Sequence, residues 1–243
     1  MRLLRRGLVL SALAVLPAAL VAPRAHAAEP IRVGYLGPLS GIFAQVGKDM
    51  LDAVVATFAG AQTVQFVRQY AQAGLKAKVP LLGAGVLADE FALGAMGDDA
   101  VGTVTTLPWA PTLTTPANQA FMKLAEAKLK RQPDGFHAFM FSAGRWICQA
   151  AEAVGGQAED RERFLAALRR ASETVEDPRG PITLDEYGNP TQNVYIRKVE
   201  KAAGRLRNTV IHTYPAVSQF WTYKPAEFLE TPVYDRSYPP VKP

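Results

Sequence analysis

The chain has 243 residues, 27 of them lysine or arginine and 22 aspartate or glutamate, which gives a formal net charge of +5. Four of the arginines and none of the acids lie in the first 27 residues, so the rest is almost neutral and gives no argument for nucleic acid or an anionic membrane as a partner. The single cysteine, Cys148, cannot close a disulfide within the chain, and its apolar helical surroundings predict a small buried side chain.

The first 27 residues predict a secretory signal peptide. Three arginines among the first six residues form a positive start, an apolar run over residues 7–22 follows, and Ala25-His26-Ala27 matches the small-x-small pattern that precedes cleavage. A membrane anchor is the alternative, but the run is shorter than the ~20 residues of a spanning helix and contains a proline. We therefore expect export, with cleavage near Ala27.

The first half of the remaining chain alternates apolar runs with helical patterns. Short apolar runs that end in Gly or Pro predict buried strands, and apolar residues three to four positions apart predict helices. In chain order these are a strand in Ile31–Gly41, a helix in Phe43–Leu51, a strand in Ala53–Gly60, a helix in Thr63–Lys76 that stops near Gly74, and strands in Val79–Gly85 and Val101–Trp109. This alternation predicts an α/β fold with a parallel, doubly wound sheet.

The second half is more helical and then changes character. Helices are predicted in Pro116–Arg131, Phe136–Val154 and Asp160–Ala171. The stretch Asp177–Val199 predicts two strands joined by a turn at residues 186–190. The Pro- and Tyr-rich segment 222–243 predicts an extended chain that lies across a surface.

No motif in the sequence assembles a catalytic group. Ser40 lacks the Gly-x-Ser-x-Gly spacing of a nucleophile elbow, and nothing places His137 or His212 beside it. The acidic pairs Asp89-Glu90 and Asp98-Asp99 would diverge on a helix or a strand, so both are predicted to be solvated surface. Zinc and calcium spacings are absent from the sequence. We therefore expect a protein that is not an enzyme and that uses no metal or cofactor.

Glycine-containing turns follow three of the predicted strands, at residues 37–41, 59–62 and 83–86. In parallel sheets ligands bind outside the carboxyl ends of the strands, where backbone N–H groups at helix starts attract anions such as carboxylates. The alternative is that these glycines only permit tight turns. Both interpretations are compatible with the sequence.

The ordered set of segments resembles the type I periplasmic solute-binding proteins of the branched-chain amino acid class, which feed ABC importers. The resemblance rests on IRVGYLGPLSGIFAQVGKDM, on VVATFAGAQTVQFVRQYAQAGLKAKVPLLGAGVLADEF and on the later segments in the same order. It implies two α/β lobes that close on a small solute, an ABC permease in the inner membrane as partner, and a periplasmic location. The implied solute is an amino acid or a small aromatic or aliphatic carboxylate.

One junction departs from this family. GKDMLDAVVATFAG (residues 47–60) passes from a helix into a strand with almost no connection, where the family has a long segment. The resemblance therefore implies a large internal deletion near Lys48–Asp52. It divides the chain into a signal peptide (1–27), a remnant of lobe 1 (28–51 and 116–172) and lobe 2 (52–115 and 173–243). We expect a well-formed lobe 2, an incomplete lobe 1 whose helix Phe136–Val154 has little sheet to cover, and weak or no solute binding.

Six residues match positions of the family's solute contacts. They are Ser40 and Phe43 in the first loop, Phe58, Ala61 and Gln62 at the turn after the next strand, and Gly85 after the strand that follows. Some relatives hold an acid at the Gly85 position, where it pairs with the ammonium group of the solute, so the glycine favours a carboxylate without an amino group. Phe136, Phe141 and Ser142 depart from the family's frequent Tyr, Tyr and Asp.

Two other functions are compatible with the sequence. One is an exported serine hydrolase that uses Ser40 with His212, which loss of ester turnover in Ser40→Ala would support. The other is a sensory or interaction module that uses the second lobe, which a defined partner in a pull-down would support.

Overall fold

The structure, a computed structural model, describes residues 53–230. The predicted signal peptide, the strand and helix predicted in residues 31–51, and the segment 231–243 lie outside the described residues.

A mixed sheet of six strands forms the centre of this part. The strands are β1 (Val54–Ala56), β2 (Leu81–Ala84), β3 (Val104–Leu107), β4 (Ile182–Leu184), β5 (Pro190–Ala202) and β6 (Arg205–Val217). β1, β2 and β3 are parallel neighbours, whereas β5 runs antiparallel to β3, β4 and β6. β3 and β4 pair with one side of β5, and β6 pairs with the other side. The α/β class is confirmed, and the parallel pairing predicted for the sheet applies to β1–β3.

Helices connect and cover these strands. They are α1 (Ala61–Gln72), α2 (Glu90–Met96), α3 (Pro116–Leu129), α4 (Gly135–Ala153), α5 (Arg161–Thr174) and α6 (Pro225–Leu229), with short 3₁₀ turns at Leu75–Ala77, Gly85–Ala88 and Gly97–Ala100. The sequence patterns predict α1, α3, α4 and α5 to within a few residues, but they do not predict α2. They also predict an extended chain after residue 222, which is wrong for α6, because Pro225 sets a helical φ at the first position and good helix formers follow it.

Local sequence explains where the longer helices begin and end. Gly74 takes a left-handed conformation with φ 70° shortly after α1 ends, as its position predicts. Thr115 caps the start of α3, whose first residue is Pro116. Asp134 and His137 form a capping box at the start of α4. These caps satisfy N–H groups that the first turn of a helix leaves without a partner.

The largest apolar cluster lies where α1 and α2 pack on the parallel strands. Its fully or almost fully buried members include Val67 in α1, Leu87 before α2, Leu93 in α2 and Val199 in β5. Each helix and the sheet contribute one apolar face, so burying them together stabilises this α/β unit.

Two smaller clusters involve α3, α4 and α5. Trp109 and Phe121 meet edge to face, with ring centroids 6.1 Å apart, and both belong to a cluster with Ala138 of α4. Trp146 of α4 packs with Ala171 of α5 in a third cluster that reaches β4. The three helices therefore have apolar contacts of their own, separate from the main cluster.

One face of α4 is apolar and exposed in the described part of the chain. Phe136, Met140 and Ile147 expose 54%, 70% and 52% of their surface. Their spacing of four and seven residues places them on one stripe of the helix, and such a stripe normally covers a neighbouring element. This exposure agrees with the expectation that the helix has little sheet to cover.

Three further observations bear on the possible classes of function. Cys148 is exposed, and its predicted burial is wrong because it lies two residues from the buried Trp146 and therefore on the opposite side of α4. None of the helices between residues 53 and 230 combines the length and the apolar character that a membrane crossing requires. Within the same residues, no group of His, Cys, Asp and Glu is arranged to hold a metal ion.

Candidate functional site

Four of the predicted solute contacts, Phe58, Ala61, Gln62 and Gly85, fall within the described residues. All four follow the carboxyl ends of parallel strands, at one edge of the sheet. Ala56 in β1 is paired with Gly83 in β2. Phe58 lies two residues after Ala56, and Gly85 lies two residues after Gly83, so both follow the carboxyl ends of neighbouring strands. The turn after β1 leads directly into α1, and the turn after β2 leads towards α2. This is the position at which α/β sheets of this kind bind ligands.

Phe58 is half-buried and packs against the main apolar cluster. Its ring centroid lies 4.7 Å from that of Phe66 in α1. The side chain therefore anchors the turn after β1 and leaves only part of its ring accessible. Ser40 and Phe43, the two predicted contacts of the first loop, lie outside the described residues, and their role stays a prediction.

The start of α1 is a helix terminus without a side-chain cap in the described part. Ala61 and Gln62 are exposed, and Gly60 before them has a φ of 63°. No acid occupies the first turn of this helix. Free N–H groups and the positive end of the helix dipole favour an anion at such a terminus. Of the predicted contacts, Ala61 and Gln62 have the geometry best suited to a carboxylate.

Gly85 is buried where the turn after β2 approaches β3. A Cβ atom at this position would overlap the Leu107 side chain and lie 2.9 Å from the carbonyl oxygen of Thr106. The carbonyl oxygen of Gly85 accepts a hydrogen bond of 3.2 Å from Arg197 Nη2. Glycine is thus required by close packing of the turn on β3, and a larger acidic residue has no space here.

Two acids that follow this turn are buried, although the sequence predicts them to be solvated. Asp89 is 1% exposed and Glu90 is 9% exposed. Asp89 Oδ1 accepts hydrogen bonds from the N–H groups of Glu90 (2.6 Å) and Gly135 (3.4 Å), and so connects the starts of α2 and α4. Glu90 Oε1 accepts hydrogen bonds from the backbone (3.1 Å) and side-chain amide (2.8 Å) of Asn208. The prediction is wrong because donors from distant elements, Gly135 of α4 and Asn208 of β6, hold one oxygen of each carboxyl group in the interior.

Arg197 of β5 is fully buried beside these acids. Its guanidinium donates hydrogen bonds to the carbonyl oxygens of Trp109 (3.0 Å) and Gly85 (3.2 Å). It also donates to Thr105 Oγ1 at 3.2 Å, and its Nη1 lies 3.8 Å from Glu90 Oε2. One side chain thus fastens the carboxyl ends of β2 and β3 to the neighbouring strand.

Burial changes the acid–base properties of this group. It raises the pKa of Glu90 to about 8, and the neighbouring Asp89 carboxyl group adds to the rise, whereas Arg197 and the Asn208 amide oppose it. Burial also lowers the pKa of Arg197, against the attraction of the two acids. Proximity to a guanidinium alone would favour an ionised Glu90. Desolvation prevails because hydrogen bonds of that guanidinium go to backbone oxygens instead.

The sequence contains a signal for the buried arginine in the alternation of residues along β5 rather than in a motif. Tyr195, Arg197 and Val199 alternate along β5, and all three are buried. Alternation of period two places them on one face of the strand. A buried arginine needs oxygen acceptors around it, so this pattern indicates a polar cluster in the interior. It does not indicate which acids supply the cluster, because they lie in a distant part of the chain.

A cavity of about 480 Å³ lies elsewhere, between the start of α3 and the end of α5. Its walls include residues 115–116 and 172–173, which flank two of the predicted lobe boundaries. Acidic side chains line it, among them Asp177, which pairs with Arg179 at 3.0 Å. None of the four predicted solute contacts that the structure describes lines this cavity. An acidic lining disfavours an anion, so the edge of the sheet is the better candidate for a carboxylate site.

Comparisons with known proteins agree with this geometry. The model of the periplasmic binding protein family matches residues 50–205. The Leu/Ile/Val-binding protein homolog 6 of Brucella melitensis is 32% identical over 168 residues, which cover 64% of this chain and 40% of that protein. The chain therefore spans well under two thirds of the length of the curated relatives that it matches.

Two solved structures from Rhodopseudomonas palustris are also similar. A solute-binding protein of an ABC transporter in complex with benzoate is 32% identical with a TM-score of 0.62, and the match covers 73% of this chain and 48% of that one. A solute-binding protein from strain BisB5 in complex with 3,4-dihydroxybenzoic acid is 31% identical with a TM-score of 0.62, over 72% and 48% of the two chains.

These relatives are substrate-binding proteins rather than enzymes, which argues against a hydrolase built on Ser40 and His212. His212 is exposed on β6 and stacks edge to face on Tyr214, with ring centroids 4.7 Å apart. The family match begins at residue 50, inside the predicted junction, and includes the parallel strands, the buried acids and Arg197. The chain therefore belongs to the periplasmic binding protein family.

Proposed function

We propose that this chain is an extracytoplasmic solute-binding component of an ABC importer, with a permease in the inner membrane as its partner. The observation that carries the proposal is the family match over residues 50–205, which contains the three parallel strands and their carboxyl ends. The family implies a periplasmic location. The signal peptide predicted in residues 1–27 is the proposed route of export.

A small aromatic carboxylate is the proposed class of solute. Two similar structures carry benzoate and 3,4-dihydroxybenzoic acid. In this chain, the uncapped start of α1 with Ala61 and Gln62 offers N–H groups to a carboxylate. The half-buried ring of Phe58 in the same turn offers an aromatic surface to the rest of the solute.

An amino acid is the second candidate, because the curated relatives carry the name of Leu/Ile/Val-binding proteins. The ammonium group of an amino acid needs an acidic partner in a site that excludes water. Gly85 supplies none, and the neighbouring carboxyl groups of Asp89 and Glu90 are buried and engaged with backbone and Asn208 donors. We therefore expect an amino acid to bind less well than an aromatic carboxylate.

We further propose that affinity is impaired because a segment of the family fold is missing between Lys48 and Asp52. The partial coverage of the relatives and the exposed apolar stripe of α4 support this proposal. Small-molecule sites typically bury about 70–90% of the ligand surface. A solute held by one lobe alone leaves one side in water and loses much of that burial.

Restoring the missing segment tests the proposed solute class. The corresponding segment of the benzoate-binding R. palustris protein is inserted between Lys48 and Asp52, and binding of benzoate, 3,4-dihydroxybenzoate and leucine is measured by isothermal titration calorimetry. We expect the insertion chain to bind an aromatic carboxylate more tightly than leucine. A folded insertion chain that binds none of them would contradict the solute-binding role, and a preference for leucine would contradict the solute class.

A matched pair of variants locates the site within the insertion chain. Gln62→Glu places a negative charge in the first turn of α1, where it stabilises the helix but repels a carboxylate. We expect it to weaken benzoate binding at least about tenfold, equivalent to about 1.4 kcal/mol, whereas Gln62→Ala changes it much less. Equal affinities of the two variants would remove the start of α1 from the site.

A further inference from the structure

We propose that the buried cluster of Asp89, Glu90 and Arg197 is a proton switch, in which Glu90 holds an exchangeable proton and the fold is destabilised when that proton is lost. This proposal is independent of the solute. It rests on residues from three parts of the chain that meet in the interior of the described structure.

The charges of the cluster require the proton. Two carboxyl groups and one guanidinium are buried together, with the side chains of Glu90 and Arg197 both 0% exposed. With both carboxyl groups ionised, the cluster carries a net charge of −1 in the interior, where a net charge is costly. One proton on Glu90 makes the cluster neutral.

The hydrogen bonds also favour it. An ionised carboxylate offers two oxygens as acceptors, but only Oε1 of Glu90 has donors, both of them from Asn208. Glu90 Oε2 has no hydrogen-bond donor among the described residues. The nearest guanidinium nitrogen, Arg197 Nη1, is 3.8 Å away and donates to Trp109 instead.

The influences on Glu90 oppose one another, and burial prevails. From its own helix start, Asp89 repels the ionised form, whereas Arg197 of β5 and the donating amide of Asn208 in β6 favour it. The start of α4 contributes the N–H of Gly135 on the Asp89 side of the cluster. Burial is the largest influence and raises the pKa of Glu90 from its ordinary 4.5 to about 8.

The cluster is placed so that loss of the proton affects several elements. Asp89 caps α2 and accepts from the start of α4, Glu90 holds Asn208 of β6, and Arg197 holds the ends of β2 and β3. Ionised Glu90 and Asp89 repel each other at the point where these contacts converge. Alkaline pH therefore weakens the attachment of α2 and β6 to the parallel strands.

The direction of the pH effect follows from the raised pKa. A carboxyl group that holds its proton more tightly when folded stabilises the fold below its unfolded-state pKa, and this contribution is lost as the pH rises to the folded-state pKa. Because one proton is involved, the unfolding constant of the natural chain should rise about tenfold per pH unit between about pH 5 and about pH 8, relative to Glu90→Gln, and then level off.

Unfolding in urea across this pH range tests the proposal, with Glu159→Gln as the control on an exposed carboxyl group. We expect the tenfold slope to disappear in Glu90→Gln and to remain in Glu159→Gln. Asp89→Asn removes the partner that raises the pKa of Glu90, so the slope should end at a lower pH. Equal pH dependence in the natural chain and in a folded Glu90→Gln would overturn the proposal.

Infrared spectroscopy of the natural chain gives a readout that does not depend on any variant folding. A protonated carboxyl group has a C=O stretch that is distinct from that of a carboxylate. We expect this band to be present at about pH 6, where an ordinary glutamate is ionised, and to disappear with a midpoint near the raised pKa of Glu90, about 8. A spectrum of the folded chain without this band at about pH 6 would overturn the switch.

Discussion

Gly85 and Arg197 together fix the turn after β2 against β3. The glycine allows the turn to approach the backbone of Thr106, and the arginine donates to the carbonyl oxygen that the glycine presents. Because the same arginine also binds the Trp109 carbonyl oxygen after β3, two adjacent strand ends share one anchor. The shape of the candidate site therefore depends on a residue of β5 that lies behind it.

Substitution of Gly85 by alanine should destabilise the fold. The added Cβ would overlap the Leu107 side chain and approach the Thr106 carbonyl oxygen to 2.9 Å, and overpacking of this kind costs about 1–3 kcal/mol. Gly94→Ala in α2 is the control, because open space surrounds that position and alanine is the better helix former by about 1 kcal/mol. Urea unfolding of both variants measures the difference; a Gly85→Ala chain as stable as the natural one would show that the turn can move away from β3.

Removal of Arg197 should cost more than removal of any exposed charge. Arg197→Met leaves the Trp109 and Gly85 carbonyl oxygens without their donor and the buried pair of acids without its counter-charge, and removing one partner of a buried charge pair costs about 3–5 kcal/mol. Arg205→Met, which breaks an exposed pair with Glu126, should cost less than about 1 kcal/mol. Comparable losses of unfolding free energy in the two variants would contradict the anchoring role.

The residues of the candidate site differ in how far the sequence predicts them. The positions of Phe58, Ala61 and Gln62 after β1 follow from the strand and turn pattern, because strand ends and helix starts are local features. The burial of Asp89 and Glu90 does not follow, since it depends on donors from α4 and β6 that are distant in sequence. Local arguments fail where tertiary contacts satisfy polar groups.

Among the elements, α4 has two apolar faces with different surroundings. One carries Ala138, Trp146 and Ala150, which are buried against α3 and α5 or the loops beside them. The other carries Met140 and Ile147, which are exposed in the described part. A helix with two apolar faces is typical of a position between two layers, so the second face is consistent with a missing layer.

Charges on the outer face of α4 should therefore be tolerated. The double variant Met140→Lys with Ile147→Lys should change the unfolding free energy by less than about 0.5 kcal/mol, because both side chains are exposed, and should lower the fluorescence of a dye that binds apolar surface. Ala138→Lys on the buried face is the control and should cost at least about 2 kcal/mol. A large loss in the double variant would show that another part of the chain covers this face.

The elements themselves follow from sequence patterns better than their lengths do. Helix ends are marked by Gly74, Thr115 and Asp134, whose capping chemistry is local. The strand predicted in Val101–Trp109 is shorter in the structure and ends at Leu107, because Pro108 has no N–H group to continue the ladder. The reversal of β5 against β3 depends on how distant segments pair, which periodicity alone does not specify.

At the scale of the whole molecule, residues 53–230 form one sheet with parallel strands β1–β3 and a helical layer with an exposed apolar face. The chain covers 40% of a curated relative and 48% of a benzoate-bound one. Both facts support the proposed function, in which the part around β1–β3 binds a carboxylate and a missing segment leaves the opposing lobe unable to close on it.

Isothermal titration calorimetry of the unaltered chain with benzoate tests this view of the molecule most directly. We predict a dissociation constant weaker than about 1 mM, or no measurable heat, because a single lobe leaves one side of the solute in water. A dissociation constant in the micromolar range, which corresponds to about −8 kcal/mol, would contradict it and would show that the chain closes on its solute without the missing segment.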